Sequence, residues 1–319
     1  MTRRRMRGLE RPTAGALGRP VVRLVVAAWL IAVPSLNAMP ADGQVVSRAE
    51  RELVRPESDR LPRAPWGRRL APPPVSARGF EEVRRYGAPE GRQGVAADAR
   101  FIYPVGNRVI AKYDRETGER VAVWEGEVDG PIVHLNSCLV VEARLVCAHS
   151  NHPGIPMLSS LEVFDTETLE HIESRSFGIQ SGSLTWAIRD DDAWWLHFAH
   201  YGNYSGIPGR GPEWSTLVRF DNDWNRTGAW AYPVELVEAF TPNSASGGNW
   251  GADGRLYVTG HDEPALYVLE VPEMGSVLEW VETIPAPMEG QAWVFDPADP
   301  DQVIGILRSS GEVVVGRRR

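Results

Sequence analysis

Four stretches of the chain decide how it folds: VIAKYDRETGE (109–119), SLEVFDTETLE (160–170), TLVRFDNDWNR (216–226) and ALYVLEVPEMG (265–275). Each opens with apolar and polar residues in alternation, rich in Val, Leu, Tyr and Phe, and ends at an acidic or proline-containing turn. That is the pattern of a strand running into a tight reversal. Working outward, each is preceded by a hairpin partner: RFIYPVGN, RLVCAHSN, AWWLHFAHYGN and RLYVTGHD. Further strands such as RVAVWEG and HIESRSF follow, and no helical periodicity is seen. A final unit, GQAWVFDPADPDQVIGILRSSGEVVVG (290–316), holds three strands only.

Four strands recurring at roughly 40–50 residues are the mark of β-propeller blades. The count is four complete blades and one lacking its outer strand. GFEEVRRYG (79–87) alternates and directly precedes the first inner strand, QGVAAD, so it is free to fill the gap. Such a strand would close the ring and remove a free sheet edge. The sequence therefore predicts an all-β, five-bladed β-propeller over residues 79–319, with 80–86 lying beside 312–315.

The segments ahead of the ring read differently. Residues 1–41 combine seven arginines, the apolar run LVVAAWLIAV (24–33), Pro34 and small residues around Ala38 and Ala41. Ten apolar residues are too few to span a bilayer and match the core of an export signal, an uncleaved anchor being the alternative. The opening TRRRMR loosely matches a twin-arginine signal, and no cysteine follows to suggest a lipoprotein. Residues 42–78, rich in Arg and Pro, show no sustained period and are read as a disordered linker. The predicted location is periplasmic or extracellular.

Composition narrows the partners. The chain has 319 residues, 34 Lys+Arg against 42 Asp+Glu, and Lys112 as its one lysine. Without residues 1–38, which hold seven arginines and one acid, 27 bases face 41 acids, a charge of −14. Such a body repels phosphate backbones and anionic lipid, so neither nucleic acid nor, after signal cleavage, a membrane is expected as partner. A small-molecule ligand fits better.

Cys138 and Cys147 are the two cysteines. A two-residue turn at Glu142 and Ala143 would set Val141 opposite Arg144 and Cys138 opposite Cys147, with Cα atoms about 4.5 Å apart and a disulfide in reach. A one-residue slip would leave two buried thiols instead.

Strand pairing aligns one position in every blade, where the second strand turns into the third: Asn107, His149, His200, His261 and Arg308. In a propeller these turns share one face, around the mouth of the central channel. Connections into the inner strands open on the same face and bring Gln93, His134 or Asn136, Ser183, Asn249, Glu289 and Gln291. Two connections there are long, SNHPGIPMLS after His149 and YGNYSGIPGRGPEWS after His200, and supply Tyr201, Tyr204 and Trp214 as stacking surfaces. Three readings stand for the histidine row. His149, His200 and His261 hold a divalent metal with an open position; or a histidine and Glu289 form an acid/base pair while Arg308 and Asn107 hold an anionic substrate; or the histidines tie neighbouring blades. His152, His171 and His197 fall off the row and read as surface or packing residues. RDDD (189–192) reads as a solvated turn, GGNWGADG (247–254) as a tight inner-strand turn, and no G-x-S-x-G, H-E-x-x-H or P-loop is present.

GPIVHLNS (130–137), CAHSNHPGIPMLSSLEVFDTETLEH (147–171), SGSLTW (181–186), TLVRFDNDWNRTGAW (216–230), SASGGNWGADGRLYVTGHDEPALYVLEVP (244–272) and GSVLEWVETIPAPMEGQA (275–292) resemble a bacterial propeller family labelled "cycloisomerase", by distant similarity to muconate-lactonizing propellers. The resemblance also implies kinship with NHL and YVTN-type propellers. It implies a ligand at the channel rim and an isomerase, lyase or lactonase activity. The alternative is a non-catalytic binding or scaffold propeller for protein or carbohydrate partners.

Overall fold

In the computed structural model the described residues are 71–180, 182–202 and 206–319. The expected export signal and the linker up to residue 70 lie outside them. Among the described residues, twenty strands form five four-stranded antiparallel sheets. Blade 1 runs β2 (Gly94–Ala97), β3 (Phe101–Gly106), β4 (Val109–Asp114) and β5 (Arg120–Glu125). Blade 2 runs β6 (Leu135–Val141), β7 (Arg144–Ser150), β8 (Leu158–Asp165) and β9 (His171–Ile179). Blade 3 runs β10 (Ser183–Arg189), β11 (Ala193–Ala199), β12 (Thr216–Asp221) and β13 (Arg226–Ala231). Blade 4 runs β14 (Gly247–Trp250), β15 (Leu256–Thr259), β16 (Ala265–Glu270) and β17 (Glu279–Pro285). Blade 5 has β18 (Val294–Phe295), β19 (Gln302–Leu307) and β20 (Glu312–Arg318), and its outer strand is β1 (Phe80–Gly87) from the start of the ring.

The ring closes as the incomplete repeat required. Phe80 faces Arg318, Tyr86 faces Val313 and Gly87 faces Glu312, with one irregularity between Glu82 and Arg84. Arg85 adds an ion pair to Glu312 at 3.0 Å. Contact begins earlier than Gly79: Val75 makes a parallel bridge to Thr283, and the Ser76 N–H donates to the Thr283 carbonyl at 2.7 Å.

Five clusters of buried apolar residues hold the blades together, one in each interface between neighbours. Ile110, Leu135 and Phe164 pack between blades 1 and 2; Leu184 and Phe198 join blade 3 to Val146 and Leu161 of blade 2. Trp186 and Trp195 meet Leu256 and Tyr267 of blade 4, Leu266 meets Val303 and Val314 of blade 5, and Ile304 and Val313 meet Val95 and Ile102 of blade 1. Non-directional burial of this kind supplies most of the stability. In a ring of only five blades the inner strands crowd the axis: a Cβ on Gly247 would sit 2.7 Å from the Gln291 carbonyl oxygen.

The acids that end the quoted repeats shape the turns on the face opposite the mouth. Asp114 Oδ1 accepts the Glu116 and Thr117 N–H groups at 2.9 and 3.0 Å, and Asp165 Oδ1 accepts those of Glu167 and Thr168 at 2.9 and 2.8 Å. Asp221 repeats the device with Asp223 and Asn225. A short polar side chain thus takes over donors that the strand ladder leaves free. The expected solvated turn after Arg189 is built the same way, with Asp190 accepting from Asp192 and Ala193.

Two sequence expectations are corrected. Among the described residues one α-helix, α1 (Val234–Phe240), stands between blades 3 and 4, where no helical pattern was expected; seven residues are too short to show a period, and its stability comes from burying Leu236, Val237 and Phe240. GGNW (247–250) is itself the inner strand β14, with the turn beginning only at Gly251. The hairpin at Glu142 and Ala143 is as derived: Val141 faces Arg144, Cys138 faces Cys147, and the two sulfurs are bonded with Cα atoms 4.0 Å apart. A disulfide fits an oxidising compartment. Among the described residues no helix is long and apolar enough to cross a membrane.

Candidate functional site

The mouth of the ring is built from the connections that enter each inner strand and those that join its second strand to its third. Asn107, His200 and Arg308 directly follow β3, β11 and β19; His149 is the penultimate residue of β7, and His261 lies two residues past β15. The row derived from strand pairing therefore sits on one face. Its members do different things there.

His149 is a blade residue. Its Nε2 accepts the Val133 N–H at 3.1 Å, which leaves the proton on Nδ1, directed at Ser160 Oγ at 2.8 Å; that hydroxyl in turn donates to Glu162 Oε1 at 2.5 Å. Burial pushes the imidazole below its usual value against the pull of Glu162. The Glu162 carboxylate is buried and also meets His171 Nε2 at 2.8 Å and the Ser174 hydroxyl. His261 is held elsewhere: its Nδ1 faces Asp262 at 2.6 Å, and its Nε2 accepts from Arg308 at 3.2 Å. His200 is fully buried, and neither ring nitrogen has a hydrogen-bond partner. Burial, reinforced by the Arg210 guanidinium, pushes it down to about 4, with Glu213 pulling the other way. The three imidazoles expected at one metal thus have separate surroundings, and among the described residues no group of three or more His, Cys, Asp or Glu is placed to hold a metal ion.

A different set of rings meets at the mouth. His134 packs on His152 with ring centroids 4.9 Å apart, and His152 meets the edge of Tyr201 at 5.0 Å. His152, expected to be a surface or packing residue, is the middle member of this stack; the connection from β7 to β8 brings it back over the mouth. Burial pushes His134 down to about 3, helped by His152, His149 and Arg308. Arg308, on blade 5, and His134, at the entry to blade 2, lie on the same mouth face. Burial likewise pushes the Tyr201 phenol up to about 12, with the Ser183 hydroxyl drawing it slightly back. Ser150, at the end of β7, is fully buried with its hydroxyl unpartnered.

The remaining expected ligand-binding residues divide between the mouth and the blade seams. Gln93 donates to Asn107 Oδ1 at 2.7 Å, which joins those two amides to each other on blade 1. Asn249 donates to the Trp293 carbonyl at 2.7 Å and Gln291 to the His261 carbonyl at 3.0 Å, so both link blade 4 to blade 5. Asn136 ties blade 2 to blade 3 through the Leu184 carbonyl at 3.0 Å. The tying role that one reading gave to the histidines is thus carried largely by amides. Glu289 does not meet a histidine: its two oxygens accept the N–H and the hydroxyl of Ser309. Trp214 is half-exposed on the long connection of blade 3, with the Arg210 guanidinium 5.0 Å from its ring. Tyr204 lies outside the described residues.

Sequence reasoning missed His152 and Ser150. The signal for His152 was available in the composition of its connection, where a histidine next to proline sits among residues already assigned to the mouth. Ser150 gave none, because a serine ending a strand looks the same whether or not its hydroxyl is used.

No family model and no curated protein matches the chain. Among solved structures it is similar to the luciferin-regenerating enzyme, at 11% identity over 76% of this chain and 95% of that one, with a TM-score of 0.44. It is also similar to the PQQ-bound form of aldose sugar dehydrogenase from Streptomyces coelicolor, at 9% identity over 78% and 100%, TM-score 0.48. A chain of the mitotic checkpoint complex matches at 10% identity over 70% and 75%, TM-score 0.39. The chain itself is a five-bladed β-propeller on the strength of its own sheet order.

Proposed function

We propose that the protein is an exported propeller that captures a small anionic ligand, a carboxylate, at the mouth lined by Arg308, His134, His152 and Tyr201. The observation that carries this reading is what the mouth face gathers: a partly buried guanidinium, Arg308, held by His261 and suited to bidentate carboxylate recognition, on the same face as the stacked rings of His134, His152 and Tyr201. The unpartnered Ser150 hydroxyl and His200 nitrogens support it, because a buried polar atom left without a partner loses about 1–3 kcal/mol, which a polar ligand or water recovers.

The chemistry of the mouth favours binding over proton transfer. A general base works best with a pKa near the working pH, and His134 and His200 are held far below it as neutral imidazoles. The Glu289 carboxylate expected as their partner is engaged by Ser309. The isomerase, lyase or lactonase activity implied by the sequence resemblance thus lacks the Glu289–histidine pair expected to serve it. Export is supported by the disulfide and by the expected signal at residues 1–41.

Native mass spectrometry and calorimetry of the intact chain with small carboxylates, and with amines of matching size, test the reading. Carboxylates bind one per chain, amines do not, and Arg308→Gln weakens binding at least tenfold with an unchanged melting temperature. Equal binding of amines, or full affinity in Arg308→Gln, would overturn it.

A further inference from the structure

In four of the five blades an aspartate clamps the inner hairpin, where the first strand turns into the second on the face opposite the mouth. Asp98 accepts the Arg100 and Phe101 N–H groups at 2.7 and 2.6 Å on one oxygen and the Tyr103 hydroxyl at 2.6 Å on the other. Asp190 adds the Trp195 indole N–H at 2.7 Å to its two backbone donors, and Asp253 takes the Arg255 N–H at 3.2 Å and the Tyr257 hydroxyl at 2.9 Å. In blade 5, Asp296 accepts the Ala298 N–H at 2.8 Å and pairs with Arg115 of blade 1. Among the described residues the hairpin of blade 2 has no such clamp. Its turn is Glu142 and Ala143, and Glu142 takes a φ of 55°, the left-handed region disfavoured for any residue with a Cβ. The unclamped hairpin is the one that carries the disulfide.

The bond also sits where the mouth begins. On its turn side the ladder is regular, from Leu139 facing Val146 to Val141 facing Arg144; on its mouth side Asn136 and Ser137 span the distance that Ala148 covers alone, before Leu135 faces His149. Such a bulge bends its strand and re-aims the side chains beyond it. Next beyond it is His134 of the ring stack, whose carbonyl accepts the Ser150 N–H at 3.1 Å, and then Val133, whose N–H donates to His149 Nε2. Asn136, within the bulge, is the tie to the Leu184 carbonyl of blade 3. Both strands that leave the disulfide therefore lead into the mouth, one to His134 and the other to His152. We propose that Cys138 and Cys147 are positioning residues of the mouth: their bond, in a hairpin without an aspartate clamp, fixes the bulge that aims His134 at its ring partners. The effect on binding rests on the reading of the mouth as an anion site; the effect on His134 does not.

Three variants of the intact chain separate positioning from plain stabilisation: Cys138→Ala with Cys147→Ala; Cys138→Ala with Cys147→Val, which refills the space of the two sulfurs without the bond; and Asp98→Ala, which removes a clamp from another blade. Each is compared with the unaltered chain at a temperature where it is folded, by NMR of the Val133 amide and the His134 imidazole and by calorimetry with octanoate as the carboxylate probe. Both cysteine pairs should move the Val133 and His134 resonances, leave amides of blade 4 in place, and raise the octanoate dissociation constant at least fivefold. Asp98→Ala should lower the melting temperature with the His134 resonance and the octanoate constant unchanged. Cysteine pairs that melt earlier but keep the His134 resonance and the affinity overturn the proposal and leave the bond a stabiliser. Full recovery of both in the pair with valine overturns it in favour of packing, and failure of both pairs to fold overturns it because the bond then serves the whole ring. Movement of His134 in the cysteine pairs, with no octanoate bound even by the unaltered chain, keeps the positioning role and overturns the anion site.

Discussion

The guanidinium of Arg308, on blade 5, donates to Nε2 of His261, on blade 4, at 3.2 Å, while Nδ1 of the same imidazole faces Asp262 at 2.6 Å. With Nε2 accepting, the ring proton lies on Nδ1 and points to the carboxylate. His261 is therefore a neutral support that aims Arg308 from the neighbouring blade.

From this support follows a graded effect at the mouth. His261→Ala should weaken carboxylate binding about three- to tenfold, because the guanidinium survives but loses its aim. His261→Gln, which keeps an acceptor, should recover most of the loss. Titration calorimetry of the two variants checks this, and identical losses in both would show that the imidazole does more than hold Arg308.

Acid should destabilise the ring well above the carboxylate range. His197 and His200 are fully buried, and burial pushes them down to about 3 and about 4, from an ordinary value of 6.5. The unfolded chain takes up these protons first, so the stability from keeping both neutral is complete above pH 6.5 and is lost progressively as the pH falls towards 4 and then 3. The slope approaches about 2.7 kcal/mol per pH unit for two such groups. Urea unfolding at pH 7, 6 and 5 measures it, and a flat free energy from pH 6 to 5 would contradict the buried, neutral state.

The disulfide bridges a separation of nine residues within one hairpin of blade 2. By the loop-entropy relation, losing it should cost about 2–3 kcal/mol, which for a domain of this size is a fall in Tm of about 4–12 °C. Differential scanning calorimetry of Cys138→Ser with Cys147→Ser gives the number. Intact-mass analysis under non-reducing conditions should find the oxidised form, and alkylation of both thiols without reduction would contradict it.

Ring closure through β1 predicts a sharp boundary for truncation. A chain beginning at residue 79 should fold and elute as the full chain does, whereas one beginning at residue 88 exposes the edge of β20 and should aggregate. Within the strand, Phe80 is buried against blades 4 and 5, and Phe80→Ala should cost about 3 kcal/mol. Size-exclusion chromatography and thermal melts of the three proteins decide the point.

The fold was legible because each level of the pattern agreed: period-two alternation, a turn acid at the end of repeated strands, and a last repeat short by the strand left over at the start. The Cys138–Cys147 register was legible for the same reason, since the two-residue turn at Glu142 fixed every pair above it. The α1 helix was not, because three buried apolar residues in about two turns leave no period to detect. At the mouth, strand pairing placed the row correctly but could not tell which side chains point where. His149 turns into the seam beside Ser160, while His152, in a connection with no ladder to count along, returns over the mouth. Side-chain direction at strand ends depends on local bends that alternation does not encode. Glu289 was paired with a histidine because both belong to the mouth face, and the nearer donors of Ser309 captured it.

The central claim is that a carboxylate occupies the mouth between Arg308 and the stacked rings. Imidazole nitrogen and proton shifts of the intact, isotope-labelled chain, followed by NMR at pH 7 as octanoate is added, test it most directly. Resonances of His134, His152 and His261 should move together and saturate at one dissociation constant, and the same titration of Arg308→Gln should leave them still. Octanoate binding detected by calorimetry while all three imidazoles stay unmoved would place the ligand elsewhere and contradict the account.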